Sequence, residues 1–283
     1  MKPGEFSQQR DNPGVARLRS VINEMGKALV AYSGGVDSTF LLCEVMDVLG
    51  RDAVLAVHIK SSLQAEGEAE QALALAGTMG VKVHTIEEDP LSIEEVAGNR
   101  PDRCYHCKMA VFSHLVSLAA QRGIPWVLDG TNADDVEDYR PGLDALAELK
   151  VRSPLREAGL SKPEIRDECR KLGLPVWDRP SAPCLITRFP YGQRITREDI
   201  LRVDRGERLL KESGFDTVRL RVHSDIARIE VPVERIDDLM AVSRNGDLIP
   251  ELKDLGFGYI TIDLEGFRSG SMDEALKREG GKQ

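Results

Sequence analysis

The stretch that most restricts what this chain can fold into is Val30-Ala-Tyr-Ser-Gly-Gly-Val-Asp-Ser38, which joins the apolar run Ala28 to Tyr32 to helical periodicity over Thr39 to Leu49. A strand that breaks on two glycines and enters a helix is built to hold an anion. Gly34 and Gly35 can take backbone conformations that a Cβ penalises, so successive N–H groups can converge on a phosphate while the helix adds its positive end. Ser33 and Ser38 add hydroxyls. Ser38 is placed to cap the helix, and Asp37 either caps it too or helps hold a magnesium ion bridging phosphates. A Walker loop carries Lys before its Ser or Thr; here that position is Asp37, which disfavours γ-phosphoryl transfer.

Four short apolar runs, Ala28 to Tyr32, Ala53 to Ile59, Val81 to Ile86 and Trp126 to Leu128, alternate with helical stretches over Thr39 to Leu49, Ala65 to Met79 and Lys108 to Gln121. That rhythm predicts an α/β fold, a doubly wound parallel sheet. Ligands of such sheets bind outside the carboxyl ends of the strands, so the loops after Tyr32, Ile59 and Leu128 should share one crevice. The last of these reads Asp129-Gly-Thr-Asn-Ala-Asp-Asp135, with Asp138 and Arg140 following. It is either a solvated acidic turn or a cradle in which Thr131, Asn132 and Asp134 face the nucleotide and Asp134 joins Asp37 on magnesium. After Gly192 the pattern changes to a charged amphipathic helix over Thr196 to Ser213, a hairpin over Thr217 to Val222 and Ala227 to Val231, and a strand near Gly258 to Leu264. The expected division is residues 1–192, then a second, smaller α/β domain over 193–270, then a disordered tail over 271–283.

With 283 residues and 41% apolar content the chain can bury a substantial core. No run approaches the roughly 20 apolar residues of a membrane span, and residues 1–12 lack a signal-peptide centre, so a cytoplasmic protein without membrane partners is expected. A net charge of −9 argues against a general nucleic-acid surface. Five cysteines in such a chain are not a disulfide framework. Cys43 and Cys169 fall on apolar helix faces and read as core. Cys104-Tyr-His-Cys107 at a helix start, with Cys184 elsewhere, fits a zinc site with His106 or His114 as fourth ligand, a redox pair, or an iron–sulfur cluster; three cysteines without a fourth suit the cluster best. On the hairpin, Arg219 and Arg221 share a strand face and Arg228 stands nearby, either paired with carboxylates on a solvated face or forming a phosphate clamp.

The Ser-Gly-Gly-Val-Asp-Ser string resembles the PP-loop of the ATP pyrophosphatase superfamily, of adenine nucleotide alpha hydrolase-like fold. Together with Arg103-Cys-Tyr-His-Cys-Lys108, Gly130-Thr-Asn-Ala-Asp-Asp135, Arg140-Pro-Gly142, Ser153-Pro-Leu155, Cys184 to Gly192 and Leu264-Glu-Gly-Phe-Arg-Ser-Gly-Ser-Met272, it is similar to the LarE family of ATP-dependent sulfurtransferases. The resemblance implies that ATP adenylylates a carboxylate of a pyridinium-3,5-dicarboxylate mononucleotide, pyrophosphate leaves, and sulfur displaces AMP to give a thiocarboxylate for a nickel-pincer nucleotide cofactor. It assigns Ser33, Gly34, Gly35, Asp37 and Ser38 to the ATP phosphates, and Arg188, Arg219, Arg221 and Arg228 to the substrate phosphate or a second phosphate site. Glu207 and Asp238 come near the transfer site, although each sits in an ordinary charged helix. Family members with one cysteine at the position of Cys184 sacrifice its sulfur. Those with the added C-x-x-C bind a [4Fe-4S] cluster through three cysteines, here Cys104, Cys107 and Cys184, and draw on a sulfide donor. A homo-oligomer is also expected. The competing readings are another PP-loop enzyme, such as a tRNA thiolase or amidotransferase-type synthetase, and a non-enzymatic nucleotide-binding module.

Overall fold

The structure, a computed structural model, describes residues 12–136 and 141–268. Asp138, Arg140 and the expected tail at 271–283 lie outside the described residues. The chain divides into two compact units, one formed by residues up to Ile93 with Asp102–Ala182, the other by Glu94–Pro101 with residues from Pro183 onward.

In the first unit the elements run α1 (Pro13–Asn23), β1 (Ala28–Ala31), α2 (Val36–Leu49), β2 (Val54–Ser61), α3 (Glu68–Thr78), β3 (Val83–Glu88), α5 (Arg103–Gln121), β4 (Trp126–Leu128), α6 (Gly142–Glu148), α7 (Pro154–Glu157) and α8 (Lys162–Lys171). The strands form the expected parallel sheet, in the order β3-β2-β1-β4. Alternation along β1 sends its residues to two cores. Ala28 and Val30 join residues of α1, α2, α3 and α8, whereas Leu29 joins Phe112, Leu115 and Ala119 of α5 and Leu146 of α6. Helices therefore cover both faces, and a sheet buried on both sides explains why its strands read as continuous apolar runs. Cys43 and Cys169 lie in the first of these cores as expected, and burial pushes the Cys169 thiol up to about 12.

Two helices begin directly after a glycine rather than where apolar periodicity starts. Gly35 is already the N-cap of α2, so the helix opens at Val36 rather than Thr39; Gly67, at φ +83°, starts α3 at Glu68 rather than Ala65. Helix α5 starts at Arg103 and takes both Cys104 and Cys107 into its first turns.

The second unit contains α4 (Glu94–Ala97), α9 (Arg197–Glu212), β5 (Arg219–His223), β6 (Ile226–Glu230), α10 (Ile236–Asn245), α11 (Leu248–Asp254) and β7 (Tyr259–Ile262). Strands β5 and β6 form the expected antiparallel hairpin, and β7 adds to β6 in parallel. A Cβ on Gly206 would lie 2.6 Å from Leu220 Cδ1, so the missing side chain lets α9 settle against β5.

Gly34 shows how tightly the first loop is held. Its φ is +80°, and a Cβ there would stand 2.5 Å from Ala72 Cβ on α3. Gly34→Ala is expected to lower the unfolding free energy by about 2–4 kcal/mol, the sum of a left-handed backbone term and overpacking. Urea denaturation monitored by circular dichroism measures it, and Gly35→Ala, at φ −75°, serves as the mild comparison.

Candidate functional site

The loop after β1 carries Ser33, Gly34, Gly35, Asp37 and Ser38 into the first turn of α2. Ser38 does not cap the helix: Gly35 is the N-cap and no side chain bonds it. Instead Ser38 Oγ lies 2.9 Å from Ser33 Oγ, accepts from Ser33 N at 3.2 Å and donates to Gly35 O at 3.2 Å. The two hydroxyls thus close the loop on itself. Only Gly34 uses the left-handed freedom expected of both glycines. Behind the loop, fully buried His58 on β2 holds Tyr32 O through Nδ1 at 2.9 Å. A carbonyl partner requires Nδ1 to carry the proton, and burial pushes this histidine below its ordinary value despite that bond and the charge of Glu70, so it is neutral.

The loop after β4 meets the same turn. A Cβ on Gly130 would lie 3.0 Å from Ser38 N and 3.2 Å from Ser38 Cα, so a glycine is needed where the two loops touch. Thr131 and Asn132 are buried and shape this loop: Thr131 Oγ1 donates to Asp129, whose other oxygen accepts from Ser153 Oγ at 2.5 Å, and Asn132 Oδ1 accepts from Asp134 N at 2.9 Å. Asp134 is exposed and accepts from the backbone N–H of Lys162 at 2.8 Å. The Lys162 ammonium reaches across to Asp37 Oδ2. Asp37 Oδ1 is buried and has no hydrogen-bond partner among the described residues. Such an oxygen suits a magnesium ion, which takes one or two carboxylates and completes its shell with water and phosphate oxygens.

Lys162 and Arg179 were not legible as site residues. Lys162 is the first residue of α8 after the capping box at Ser161 and Glu164, which places a cation at the positive end of a helix. That local mismatch was the available signal. Arg179 reaches Gly34 O at 3.4 Å and Gln71 Oε1, and it lines a cleft of about 450 Å³ with Gln71, Leu75, Val176 and Asp178. Nothing in its surrounding sequence marks it.

Helix α5 brings the C-x-x-C toward this edge of the first unit. Cys104 and Cys107, three positions apart, share a helix face; the next residue, Lys108, stands 3.8 Å from Asp129. His106 pairs with Asp102 at 3.2 Å, and His114 with Glu88 at 2.6 Å. Among the described residues no group of three or more His, Cys, Asp and Glu side chains is arranged to hold a metal ion. Cys104, Cys107 and Cys184 are all outside disulfides, and Cys104 and Cys184 are exposed.

In the second unit Cys184 is the N-cap of a single turn, Leu185–Arg188. Its carbonyl accepts from Thr187 N at 3.1 Å, Thr187 Oγ1 at 2.9 Å and Arg188 Nη1 at 3.3 Å. Arg188 is buried, and its guanidinium forks onto Glu207 at 2.8 and 2.9 Å. Glu207 also accepts from Leu220 N at 3.0 Å, a contact made possible by the close approach at Gly206. Burial alone raises a carboxyl, but the Arg188 hydrogen bonds and charge, the Leu220 N–H and the Arg219 charge together hold Glu207 below the usual carboxylate range. It therefore stays ionised and anchors rather than exchanging protons.

The hairpin arginines divide by environment. Arg221 and Arg228 both pair with buried Glu230, at 3.0 and 3.1 Å, and Arg221 Nη1 donates to Thr187 O at 2.8 Å. Arg219 donates to Val218 O at 2.9 Å and lies 5.2 Å over the Phe267 ring; burial and the neighbouring Arg188 and Arg221 charges push it down to about 10. An anion beside it would relieve that shift. Asp238 is 60% exposed on its side chain and pairs with Arg235 at 2.7 Å one helical turn away, which is a solvated surface arrangement.

A family model described as NAD synthase matches residues 14–99. The pyridinium-3,5-bisthiocarboxylic acid mononucleotide synthase of Lactiplantibacillus plantarum is 41% identical over 263 residues, covering 93% of this chain and 95% of the relative. An uncharacterized protein of Synechocystis sp. is 41% identical over 261 residues, 92% of this chain and 97% of its own. One from Methanocaldococcus jannaschii is 30% identical over 247 residues, 86% and 91% of the respective chains.

Glu207→Gln should lower stability at neutral pH by about 3–5 kcal/mol, because it removes the charge that compensates a buried guanidinium. The Glu207 contribution is fully present above the ordinary carboxylate value of about 4.3 and is lost as pH falls through its depressed folded value. Urea titrations from about pH 7 down to about pH 3 should show the two proteins converging in acid; a constant difference would show that Glu207 does not titrate as described.

Proposed function

The chain belongs to the LarE family of PP-loop ATP pyrophosphatases, and from that membership we propose that it is an ATP-dependent sulfurtransferase that inserts sulfur into a pyridinium-3,5-dicarboxylate mononucleotide. The observation that carries the reading is the loop at Ser33 to Ser38, with a carboxylate at the Walker lysine position and a second, acidic loop against its first helical turn. Such a loop favours release of pyrophosphate as a unit.

The reaction has two steps. A substrate carboxylate oxygen bonds to the α-phosphorus of ATP as the bond from that phosphorus to the bridging oxygen breaks, and pyrophosphate leaves with the electron pair. A sulfur nucleophile of hydrosulfide type then adds to the acyl carbon, the bond to the AMP oxygen breaks, and a thiocarboxylate, AMP and a proton remain. The backbone of Ser33, Gly34 and Gly35 and the Ser38 hydroxyl bind the phosphates, with Lys162 and Arg179 adding positive charge at the rim. Thr131 and Asn132 hold the second loop in shape. Asp37 and Asp134 would hold a magnesium ion, which when bound offsets charge on the leaving pyrophosphate.

Arg219 and Arg228, the less buried pair on the hairpin, take the substrate phosphate; Arg221 and Arg188, buried against Glu230 and Glu207, position the others. Glu207 anchors Arg188. Asp238 is given no step, because its solvated pairing with Arg235 offers nothing to a reacting group. Cys104, Cys107 and Cys184 would hold a [4Fe-4S] cluster, which when bound supplies transferable sulfide so that no protein sulfur is consumed. The sulfur comes from a sulfide donor outside the chain.

Two measurements test the proposal. Turnover with ATP and the pyridinium dicarboxylate should release AMP and pyrophosphate in equal amounts, and Asp37→Ala should slow the release on the order of 10²-fold; ADP and inorganic phosphate as products would overturn it. Protein purified without oxygen should be brown with about four irons per chain, and Cys104→Ala, Cys107→Ala or Cys184→Ala should each remove most of the colour while Cys43→Ala keeps it. Stoichiometric zinc without iron would refute the cluster, and a Cys184 lighter by hydrogen sulfide after turnover would make that residue the sulfur source.

A further inference from the structure

The segment Glu94–Pro101 is detached from its sequence neighbours and folds with the second unit. It is fastened there to the residues that follow Cys184. Ile195 N donates to Ala97 O at 2.7 Å, Gly192 N donates to Asn99 O at 3.0 Å, and Arg194 forks onto Glu94. That last pair is exposed and contributes little. The contact that distinguishes the segment is Asn99, whose Nδ2 donates both to Phe189 O at 3.2 Å and to Pro190 O at 2.8 Å.

Asn99 is 0% exposed and adopts φ +48°, a left-handed conformation rare outside glycine. Its side-chain orientation follows from its partners: two carbonyl oxygens can only be met by the NH₂ group, and this leaves Oδ1 buried with no partner among the described residues. A strained backbone and an unsatisfied buried acceptor thus coincide at one residue. Such local penalties persist where a particular geometry is required. Asparagine also meets the demand better than its alternatives, since Asp has no donor, Gly has no side chain, and most other residues resist positive φ.

We infer that Asn99 is a positioning residue for Cys184, a role that rests on the reading of Cys184 as a sulfur-transfer residue. The path is short. Phe189 N donates to Ile186 O within the single turn that Cys184 caps, and Arg188 of that turn grips the carbonyls of Pro183 and Cys184 at 2.9 and 3.3 Å. Fixing the Phe189 and Pro190 carbonyls fixes the end of that turn and hence the direction in which residue 184 is presented. The same asparagine stands five positions before Cys104, as Phe189 stands five after Cys184. One side chain therefore ties Glu94–Pro101 to the stretch that follows Cys184.

The test uses two full-length variants. Asn99→Gly keeps the left-handed backbone and deletes both donors; Asn99→Asp keeps the shape and turns donors into acceptors facing two carbonyls. Each is assayed for pyrophosphate release, for thiocarboxylate formation, and for the rate at which iodoacetamide alkylates Cys184, mapped by mass spectrometry with buried Cys43 as control. Both variants should melt within a few degrees of wild type and release pyrophosphate at close to the wild-type rate, while thiocarboxylate formation falls at least tenfold and Cys184 alkylation changes at least fivefold. Wild-type thiocarboxylate formation in Asn99→Gly, equal loss of both half-reactions, or failure of both variants to fold would overturn the inference. If only Asn99→Asp fails to fold, Asn99→Gly decides. Cys184→Ala separates the two levels: full sulfur transfer by that variant removes the reading of Cys184, whereas an altered alkylation rate in Asn99→Gly still upholds the positioning.

Discussion

The first unit depends on β1 being hydrogen-bonded in parallel on both sides, to β2 and to β4. Chain order runs outward from β1 through β2 to β3 and then jumps back across β1 to β4, so the loops after β1 and β4 emerge side by side with no helix between them. That single reversal explains the close approach of Gly130 to the first turn of α2 and the presence of two loops at one edge. The rest of the site is assembled around it: α3 presses Ala72 against Gly34, and α8 delivers Lys162 to Asp37. Three elements distant in sequence converge because one central strand has neighbours of the same direction.

The second unit is organised by a different constraint, the pairing of several guanidinium groups with the buried carboxylates Glu207 and Glu230. Glu207 and Glu230 neutralise Arg188 and Arg221 at hydrogen-bonding distance, and Arg228 shares Glu230 while lying 3.6 Å from Asp263. Burial and the charges of Arg188 and Arg221 reduce the affinity of Arg219 for its proton. A buried ion network of this kind contributes little net stability, because desolvation offsets most of the attraction. What it gives is a fixed geometry for the guanidinium groups.

Much of this was legible in the sequence because the signals were local. The four strands announced themselves as apolar runs, and the Gly-Gly break and the hairpin followed from turn chemistry and alternation. The core assignment of Cys169 followed from helical spacing, and that of Cys43 from the apolar run Phe40 to Val45 around it. What the sequence concealed depends on contacts between distant elements. Nothing near Lys162 points to Asp37, nothing near Arg179 points to Gly34, and nothing local shows that Thr131 and Asn132 hydrogen-bond within their own loop. Helix starts shifted for a different reason: periodicity reports which face is buried, whereas the first turns of α2 and α3 begin directly after Gly35 and Gly67. The union of Glu94–Pro101 with the second unit was equally invisible, because it rests on an asparagine meeting two carbonyls about ninety residues away.

The grip on position 184 is exerted through a carbonyl oxygen, and every amino acid has one. Thr187 and Arg188 hold the backbone there while the side chain stands exposed. The turn is therefore held at residue 184 through an atom that does not depend on the identity of its side chain. A change confined to the side chain, oxidation or loss of its sulfur included, leaves those three carbonyl contacts available to the turn that displays it.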